Sequence, residues 1–244
     1  MLTTVFATKL GMTQAWTKEG KRMAVTRCKV TPNVVVGTQN PQEKSVVLEI
    51  GYGTKKLKNM NKPLRSQLEK SGFSMGITQV KGVKVALDGE TPAPKAGDSI
   101  TIDQVLQIGD IVKVQGITKG RGFAGAVKRH GFAGGPETHG QSDRVRAVGS
   151  IGAGTTPGRV FKGKRMPGHY GVDTKTVTGL VILHIDPTTQ EVWLSGPVPG
   201  HNQAVVRILK TGQTKQVELL NVQKSEAVVE AAPAEEAPVA EAQA

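Results

Sequence analysis

Short runs of valine, isoleucine and threonine, separated by glycine, proline and asparagine, dominate the pattern of apolar and polar positions in this chain. Runs of this length and residue type predict β-strands. Residues 186–189 (DPTT) supply turn chemistry between two of these runs, which predicts a hairpin. The predicted strands are residues 3–8, 23–30, 45–52, 108–118, 177–185, 191–194 and 204–209.

One helix is predicted, over Lys62–Lys70. Asn61 is a favourable N-terminal cap, Pro63 suits the first turn, and Gly72 is expected to follow the end of the helix. Residues 73–100 place glycine, proline and lysine at turn positions, and we interpret them as a small irregular unit attached to the strands.

Many short strands with turns between them, and little helix, predict a mainly β fold with minor α, built as a small closed β-barrel. The predicted barrel body takes residues 1–118 and 172–215. Residues 119–171 leave this body and return to it as one long loop. Residues 216–244 form a predicted linker and a tail rich in alanine, glutamate and proline, which is expected to be disordered.

Residues 119–171 interrupt the strand pattern. These 53 residues hold ten lysines and arginines, fourteen glycines and only two acids. Large apolar side chains are too few and too irregularly spaced to form one face of a helix or strand. The segment therefore cannot bury enough apolar surface to offset the entropy of its own ordering. We expect it to take its shape from a polyanion, with structured RNA as the first choice.

The charge of the whole chain agrees with a polyanionic partner. The formal net charge is +12, and residues 225–244 hold five glutamates and no basic residue, so that 32 basic against 15 acidic residues leave +17 on residues 1–224. Such an excess favours nucleic acid before an anionic membrane. No run approaches the roughly 20 apolar residues of a spanning helix. The first residues lack the pattern of a signal peptide, and the cytoplasm is the expected location.

The candidate RNA-binding residues are the cations of residues 119–171 and one histidine. Arginine can bridge two phosphate oxygens and stack on bases, whereas lysine supplies a point charge. The aromatic side chains of Phe123, Phe132, Phe161 and Tyr170 either stack on exposed bases or anchor the loop's own turns, and the sequence leaves both roles open. The predicted RNA-binding residues are Lys119, Arg121, Lys128, Arg129, Arg144, Arg146, Arg159, Lys162, Lys164, Arg165 and His169.

Catalytic and metal-binding interpretations have less support. Residues 120–125 match a GxGxxG pattern, but the stretch that follows is too short for the helix that a dinucleotide site requires. His130, His139 and His169 lack a usual zinc spacing and have no cysteine nearby. The single cysteine, Cys28, is expected to be buried and inert. No catalytic residue, metal, cofactor or small-molecule substrate is therefore expected.

Five stretches together resemble the family of bacterial large-subunit ribosomal protein L3. They are KGRGFAGAVKRHGF at 119–132, THG at 138–140, GSIGAGTTPGRVFKGKRMPGHYG at 149–171, KLGMTQ at 9–14 and GPVPG at 196–200. The chain departs from the family pattern at Ala153, where many bacterial members have a glutamine that is methylated in some. The acidic tail also lies outside the common pattern.

The resemblance implies a β-barrel of the translation-protein type with a smaller inserted α/β part, here at about 55–100. It also implies a non-enzymatic constituent of the large ribosomal subunit. Such a protein binds 23S rRNA near its 3′ end, takes part early in assembly and contacts neighbouring ribosomal proteins. Residues 119–171 would then be the extension that reaches towards the peptidyl transferase centre.

Two other classes of function stay open from the residues alone. One is a free-standing RNA chaperone, which would not sediment in stoichiometric amounts with large subunits through moderate salt. The other is a nucleotide-dependent enzyme that uses residues 120–125. Nucleotide binding that disappears with Gly122→Val, while RNA binding persists, would favour the enzyme.

Overall fold

The structure is a computed structural model that describes residues 2–31, 33–42, 45–73, 75–86 and 94–217. The predicted linker and acidic tail lie outside the described residues, apart from residues 216 and 217. Strands dominate the described ranges, so the prediction of a mainly β chain with little helix is confirmed. No helix in these ranges is long and apolar enough to cross a membrane.

The strands follow in chain order as β1 (Thr4–Trp16), β2 (Arg22–Lys29), β3 (Asn33–Gln42), β4 (Ser45–Lys55), β5 (Gly76–Ala86), β6 (Ser99–Ile100), β7 (Asp110–Ile117), β8 (Phe123–Ala124), β9 (Gly168–His169), β10 (Thr174–Asp186), β11 (Glu191–Ser195) and β12 (Val205–Thr214). The α-helices are α1 (Lys62–Lys70) and α2 (Ala126–His130), and a 3-10 turn covers Leu57–Asn59.

Six strands close on themselves through antiparallel pairs in the order β1-β12-β7-β10-β11-β2. Burial alternates along β7, where Val112 and Val114 are fully buried. Ile182, Leu194 and Ile208 come from three other strands and are fully buried in the same core. Each such side chain contributes about 1.5–3 kcal/mol by leaving water. With few aromatic residues in the chain, this core rests on aliphatic side chains.

Two elements with strong local signals have the predicted form. The helix predicted over Lys62–Lys70 has those bounds, although the side chain of Asn61 makes no capping hydrogen bond. The predicted hairpin joins β10 to β11 at Asp186. The Asp186 carboxylate accepts hydrogen bonds from the Thr189 hydroxyl (2.8 Å) and the Thr188 amide (3.0 Å), and these bonds hold its pKa below the ordinary value.

A second sheet has the strand order β5-β4-β3-β6. It begins at Asn33, earlier than the boundary near residue 55 expected for the inserted part. The interpretation of residues 73–100 as irregular was wrong for β5, which pairs along its length with β4. Much of β5 is exposed and polar, which hides its apolar alternation, and pairing with a strand distant in sequence decides its structure.

The second sheet and the barrel share one buried core. Phe6 of β1 stacks on Tyr52 of β4, with ring centroids 4.6 Å apart and ring planes at 16°. Both side chains are buried, and Leu48 of β4 and Val83 of β5 belong to the same apolar cluster as Val5 of the barrel. This shared core fixes the second sheet against the outer face of β1.

Residues 119–171, hereafter the extension, connect the end of β7 to the start of β10. These two strands are hydrogen-bonded neighbours, and Ile117 lies opposite Thr174. The chain therefore leaves the barrel and returns to it at adjacent positions on one rim.

Candidate nucleic-acid interface

The root of the extension, residues 118–123 and 168–173, is held by hydrogen bonds between its outgoing and returning chains. The Thr118 amide donates to the Asp173 carbonyl (2.9 Å), and the Asp173 amide donates to the Thr118 hydroxyl (3.1 Å). One step further out, the Arg121 amide donates to the Tyr170 carbonyl and the Tyr170 amide donates to the Gly122 carbonyl, both at 2.9 Å. The outgoing and returning chains therefore continue the antiparallel pairing of β7 and β10.

A short ladder and a cation–π contact extend this pairing. Strands β8 and β9 pair Phe123 with His169, and the Arg121 guanidinium lies 5.2 Å from the centroid of the Tyr170 ring. An arginine at this distance is attracted to the face of the ring. Arg121 thus stabilises the root while its side chain stays exposed.

Gly171 is required where the two ends of the extension touch. Its φ of +83° is a backbone conformation that side chains disfavour, and an added Cβ would collide with the Lys119 carbonyl oxygen. Close approach of the two backbones at the root therefore depends on this glycine.

Further out, helix α2 braces the returning chain. The helix ends at Gly131, which has a φ of 74°. The Arg129 guanidinium donates to the Met166 carbonyl (2.8 Å), and His130 Nε2 lies 3.1 Å from the same oxygen. Arg129, predicted to bind RNA, is half-buried and holds the two sides of the extension together.

The distal part of the extension has no core of its own. Within residues 119–171, all of which the structure describes, only Ala124, Ala126 and Gly171 are buried. Every residue from 149 to 165 is exposed. This agrees with the composition, which offers too little apolar surface for independent packing.

The predicted RNA-binding side chains are displayed to solvent. Arg129 is half-buried, and the other ten predicted residues are exposed. Among the described residues, no ion pair joins any of these cations to a carboxylate. Their charges are therefore available to an external anion. The exposed residues are Lys119, Arg121, Lys128, Arg144, Arg146, Arg159, Lys162, Lys164, Arg165 and His169.

The four aromatic residues of the extension divide between the two roles that the sequence left open. Phe123 and Phe161 are 80% and 60% exposed, so their ring faces can be reached by bases. Tyr170 supports Arg121, and the Phe132 ring lies 6.1 Å from the His130 ring. Tyr170 and Phe132 therefore stabilise the extension's own turns.

Sequence reasoning overlooked Lys9, which joins two of the resembling motifs at the root. The Lys9 ammonium, in KLGMTQ, donates to the carbonyls of Val198 (2.7 Å) and Gly200 (3.1 Å), in GPVPG. Burial lowers the pKa of Lys9 below its ordinary value, and the positive charge of Lys119 lowers it further. A lysine inside a strand-like run was the available signal, but its partner lies 189 residues away.

Arg207 was also overlooked. This residue lies in β12, between β1 and β7, and its Nε is buried without a hydrogen-bond partner in the described structure. A single arginine inside the apolar run VVRIL was the signal that could have identified it.

The described residues contain no group of three or more His, Cys, Asp or Glu side chains that could hold a metal ion. The expectation that Cys28 is buried is confirmed, since its side chain is fully inaccessible. Burial raises the pKa of the Cys28 thiol to about 12, which keeps it protonated and unreactive near neutral pH.

Known proteins agree with the resemblance seen in the motifs. The family model described as Ribosomal protein L3 matches residues 59–191, which include the whole extension. The large ribosomal subunit protein uL3 of Dehalococcoides mccartyi is 38% identical over 87% of this chain and 100% of its own length. The uL3 proteins of Herpetosiphon aurantiacus and Aquifex aeolicus are 39% and 38% identical over 87% and 81% of this chain, and over 98% and 81% of their own lengths. The chain therefore belongs to the ribosomal protein L3 family, whose members are structural proteins and not enzymes.

Proposed function

We propose that this protein is a structural constituent of the large ribosomal subunit, located in the cytoplasm on the ribosome, and that it binds 23S rRNA directly through its extension. The observation that supports this most directly is the exposure of residues 149–165 and of the cations they carry. All of them are exposed, and they carry four cations with no described carboxylate partner. A segment of this length without a core needs another molecule to hold its shape.

The mechanism is electrostatic. Lysine and arginine side chains neutralise phosphates where RNA strands converge, and displaced counterions supply much of the affinity. The glycines let the backbone pass between RNA helices, where a side chain would not fit. Most contacts go to phosphate and sugar, so the shape of the folded RNA, rather than its base sequence, supplies specificity.

The finer parts of the proposal rest on the family resemblance. The protein binds near the 3′ end of 23S rRNA, nucleates early assembly and contacts neighbouring large-subunit proteins. Its body, residues 1–118 and 172–215, is a barrel of the translation-protein type that docks on the RNA surface. The extension, residues 119–171, points towards the peptidyl transferase centre, and residues 216–244 are the linker and acidic tail.

Hydrogen exchange of the free and assembled protein tests this. In the free protein, amides of the barrel core are expected to exchange slowly and those of residues 149–165 quickly, because none of the latter is buried. On the large subunit the same amides become protected. An extension that is already protected in the free protein, or that stays unprotected on the particle, would contradict the proposal.

A further inference from the structure

A cleft of about 580 Å³ lies at the root of the extension. Its walls come from three parts of the protein: the outer face of the barrel, the second sheet and the first two residues of the extension, with Val172 just after its end. Its basic side chains are Lys81 of β5, Lys119 of the extension, Arg207 of β12 and His201 of the preceding loop. Among the described residues that line the cleft, none is an aspartate or glutamate.

Strand register explains the floor of this cleft. Arg207 lies opposite Phe6 of β1 on one side and opposite Gln115 of β7 on the other. Gln115 in turn lies opposite Thr176 of β10. Residues directly opposite each other point to the same face of a sheet, so the four side chains form one row across the outside of the barrel. Tyr52 covers the row at Phe6, and Gln115 is only half-buried.

Arg207 has an unmet hydrogen-bonding need at the centre of this row. The side chain lines the cleft, and its Nε is fully buried with no hydrogen-bond partner in the described structure. No described carboxylate forms an ion pair with it. A buried donor without an acceptor is costly. Arg207 as a whole is only half-buried and lines the cleft, so its guanidinium can bind an anionic oxygen that enters there.

RNA fits this cleft better than an acidic protein segment does. Lys119 belongs both to the cleft and to the cationic extension, so an RNA strand that follows the extension to its root reaches the cleft without a break. Lys9 adds a positive charge near Lys119 on the barrel side of the root, and besides burial the Lys119 charge lowers the pKa of Lys9. The side-chain amides of Gln79 and Gln115 add neutral polar groups that suit sugar and phosphate.

We propose that the cleft is a second RNA site, in which the Arg207 guanidinium binds a backbone phosphate, with Lys81 and Lys119 beside it. This inference rests on the proposed function, since it takes the same ribosomal RNA as the partner. The second sheet, the barrel and the extension, which together line the cleft, would all contact the same RNA segment. The orientation of the extension relative to the RNA is thereby set at its root as well as along its length.

The test measures binding of the full-length protein and its Arg207→Met variant to purified bacterial 23S rRNA over a range of salt concentrations. Methionine keeps an unbranched apolar stem and removes the guanidinium. Affinity is expected to fall by about tenfold, since bonds to charged groups are among the stronger ones. The slope of log affinity against log salt is expected to become shallower by about 0.7. Arg207→Lys, which keeps the charge and loses the planar fork, should bind with intermediate affinity.

A purely structural role for Arg207 predicts a different combination of results. Because Nε has no partner in the free protein, Arg207→Met should leave the melting temperature unchanged or raise it. A structural arginine would lower it. Arg22→Met is the matched control, since Arg22 is exposed on β2 and does not line the cleft. It should change neither affinity nor salt slope.

The outcomes separate this inference from the proposed function. If Arg159, Lys162, Lys164 and Arg165 replaced together by alanine weaken rRNA binding and Arg207→Met does not, the cleft site is refuted and the extension's role stands. If neither variant affects binding, both fail. The chain's own acidic tail is the competing occupant. If Arg207→Met leaves rRNA affinity unchanged, the RNA site is overturned. If Arg207→Met also changes the melting temperature of the normal chain, but not that of a chain whose five tail glutamates are replaced, the cleft is assigned to the tail.

Discussion

Replacement of Arg159, Lys162, Lys164 and Arg165 together by alanine separates RNA binding from folding. All four residues are exposed and lie in the stretch from 149 to 165 that contains no buried residue. Exposed substitutions of this kind usually change the free energy of unfolding by within about 0.5 kcal/mol each. The melting temperature of the barrel should therefore stay nearly constant.

The expected change in the salt dependence of RNA affinity follows from counterion release. If five of the extension's ten basic residues contact phosphates, log affinity falls with log salt at a slope of about −4. Between about 50 mM and 200 mM salt this slope corresponds to a loss of about 250-fold. Without four of these contacts the slope is about −1, and the same change in salt costs only about fourfold. Incorporation into large subunits should fall in parallel.

Filter binding or fluorescence anisotropy with 23S rRNA, measured at four or more salt concentrations, gives the slope for each protein. The charge-matched control replaces Lys55, Lys56, Lys58 and Lys62 by alanine. These residues are exposed on the unit built around the second sheet, and the control changes net charge equally. An unchanged slope in the extension variant, or an equal change in the control, would refute local phosphate contact by this cluster.

Three further substitutions probe the barrel, the root and the buried thiol. Ile182→Ala removes a fully buried side chain and should cost about 2–5 kcal/mol in a urea titration, while the folded variant still binds rRNA. Gly171→Ala should impair subunit incorporation far more than Gly122→Ala. Both glycines have positive φ, but only a Cβ at residue 171 would collide with the Lys119 carbonyl oxygen. Equal effects of the two substitutions would refute that contact. Cys28 ionises near 9.0 when unfolded and near 12 when folded, so its stabilising effect is complete below pH 9 and is lost between pH 9 and 12. Urea unfolding should show a loss on the order of 1 kcal/mol between pH 7 and pH 10 that is absent in Cys28→Ala.

The elements that could be predicted from the sequence are those decided by neighbouring residues. The α1 helix has a proline in its first turn, and the β10–β11 hairpin is closed by hydrogen bonds to the Asp186 carboxylate. Strands β3 and β5 were not predicted. Glycine and lysine weaken the apolar alternation of β5, and its pairing with β4 is fixed by tertiary context.

The candidate site likewise has one part that could be predicted from the sequence and one part that could not. The cationic side chains of the extension could be predicted from composition, because exposure needs no partner within the chain. The cleft could not, since it depends on the register that aligns Phe6, Arg207 and Gln115 across three strands distant in sequence. A periodic pattern predicts which face of a strand is buried, but it does not give the neighbours of that face.

The root and the tip of the extension are ordered by different interactions, and this difference accounts for how a core-less segment could reach a defined place in a large RNA. Backbone bonds between Arg121 and Tyr170, together with the close contact at Gly171, fix the position and direction of the root before any RNA is present. A fixed root reduces the conformational entropy lost when the tip is ordered, because only the distal residues remain to be fixed. The tip has no buried residue from 149 to 165, so it can adapt to the RNA surface without breaking contacts of its own. A rigid root with an adaptable tip therefore binds at a lower entropic cost than a fully unstructured chain, and it fits the RNA more closely than a rigid rod.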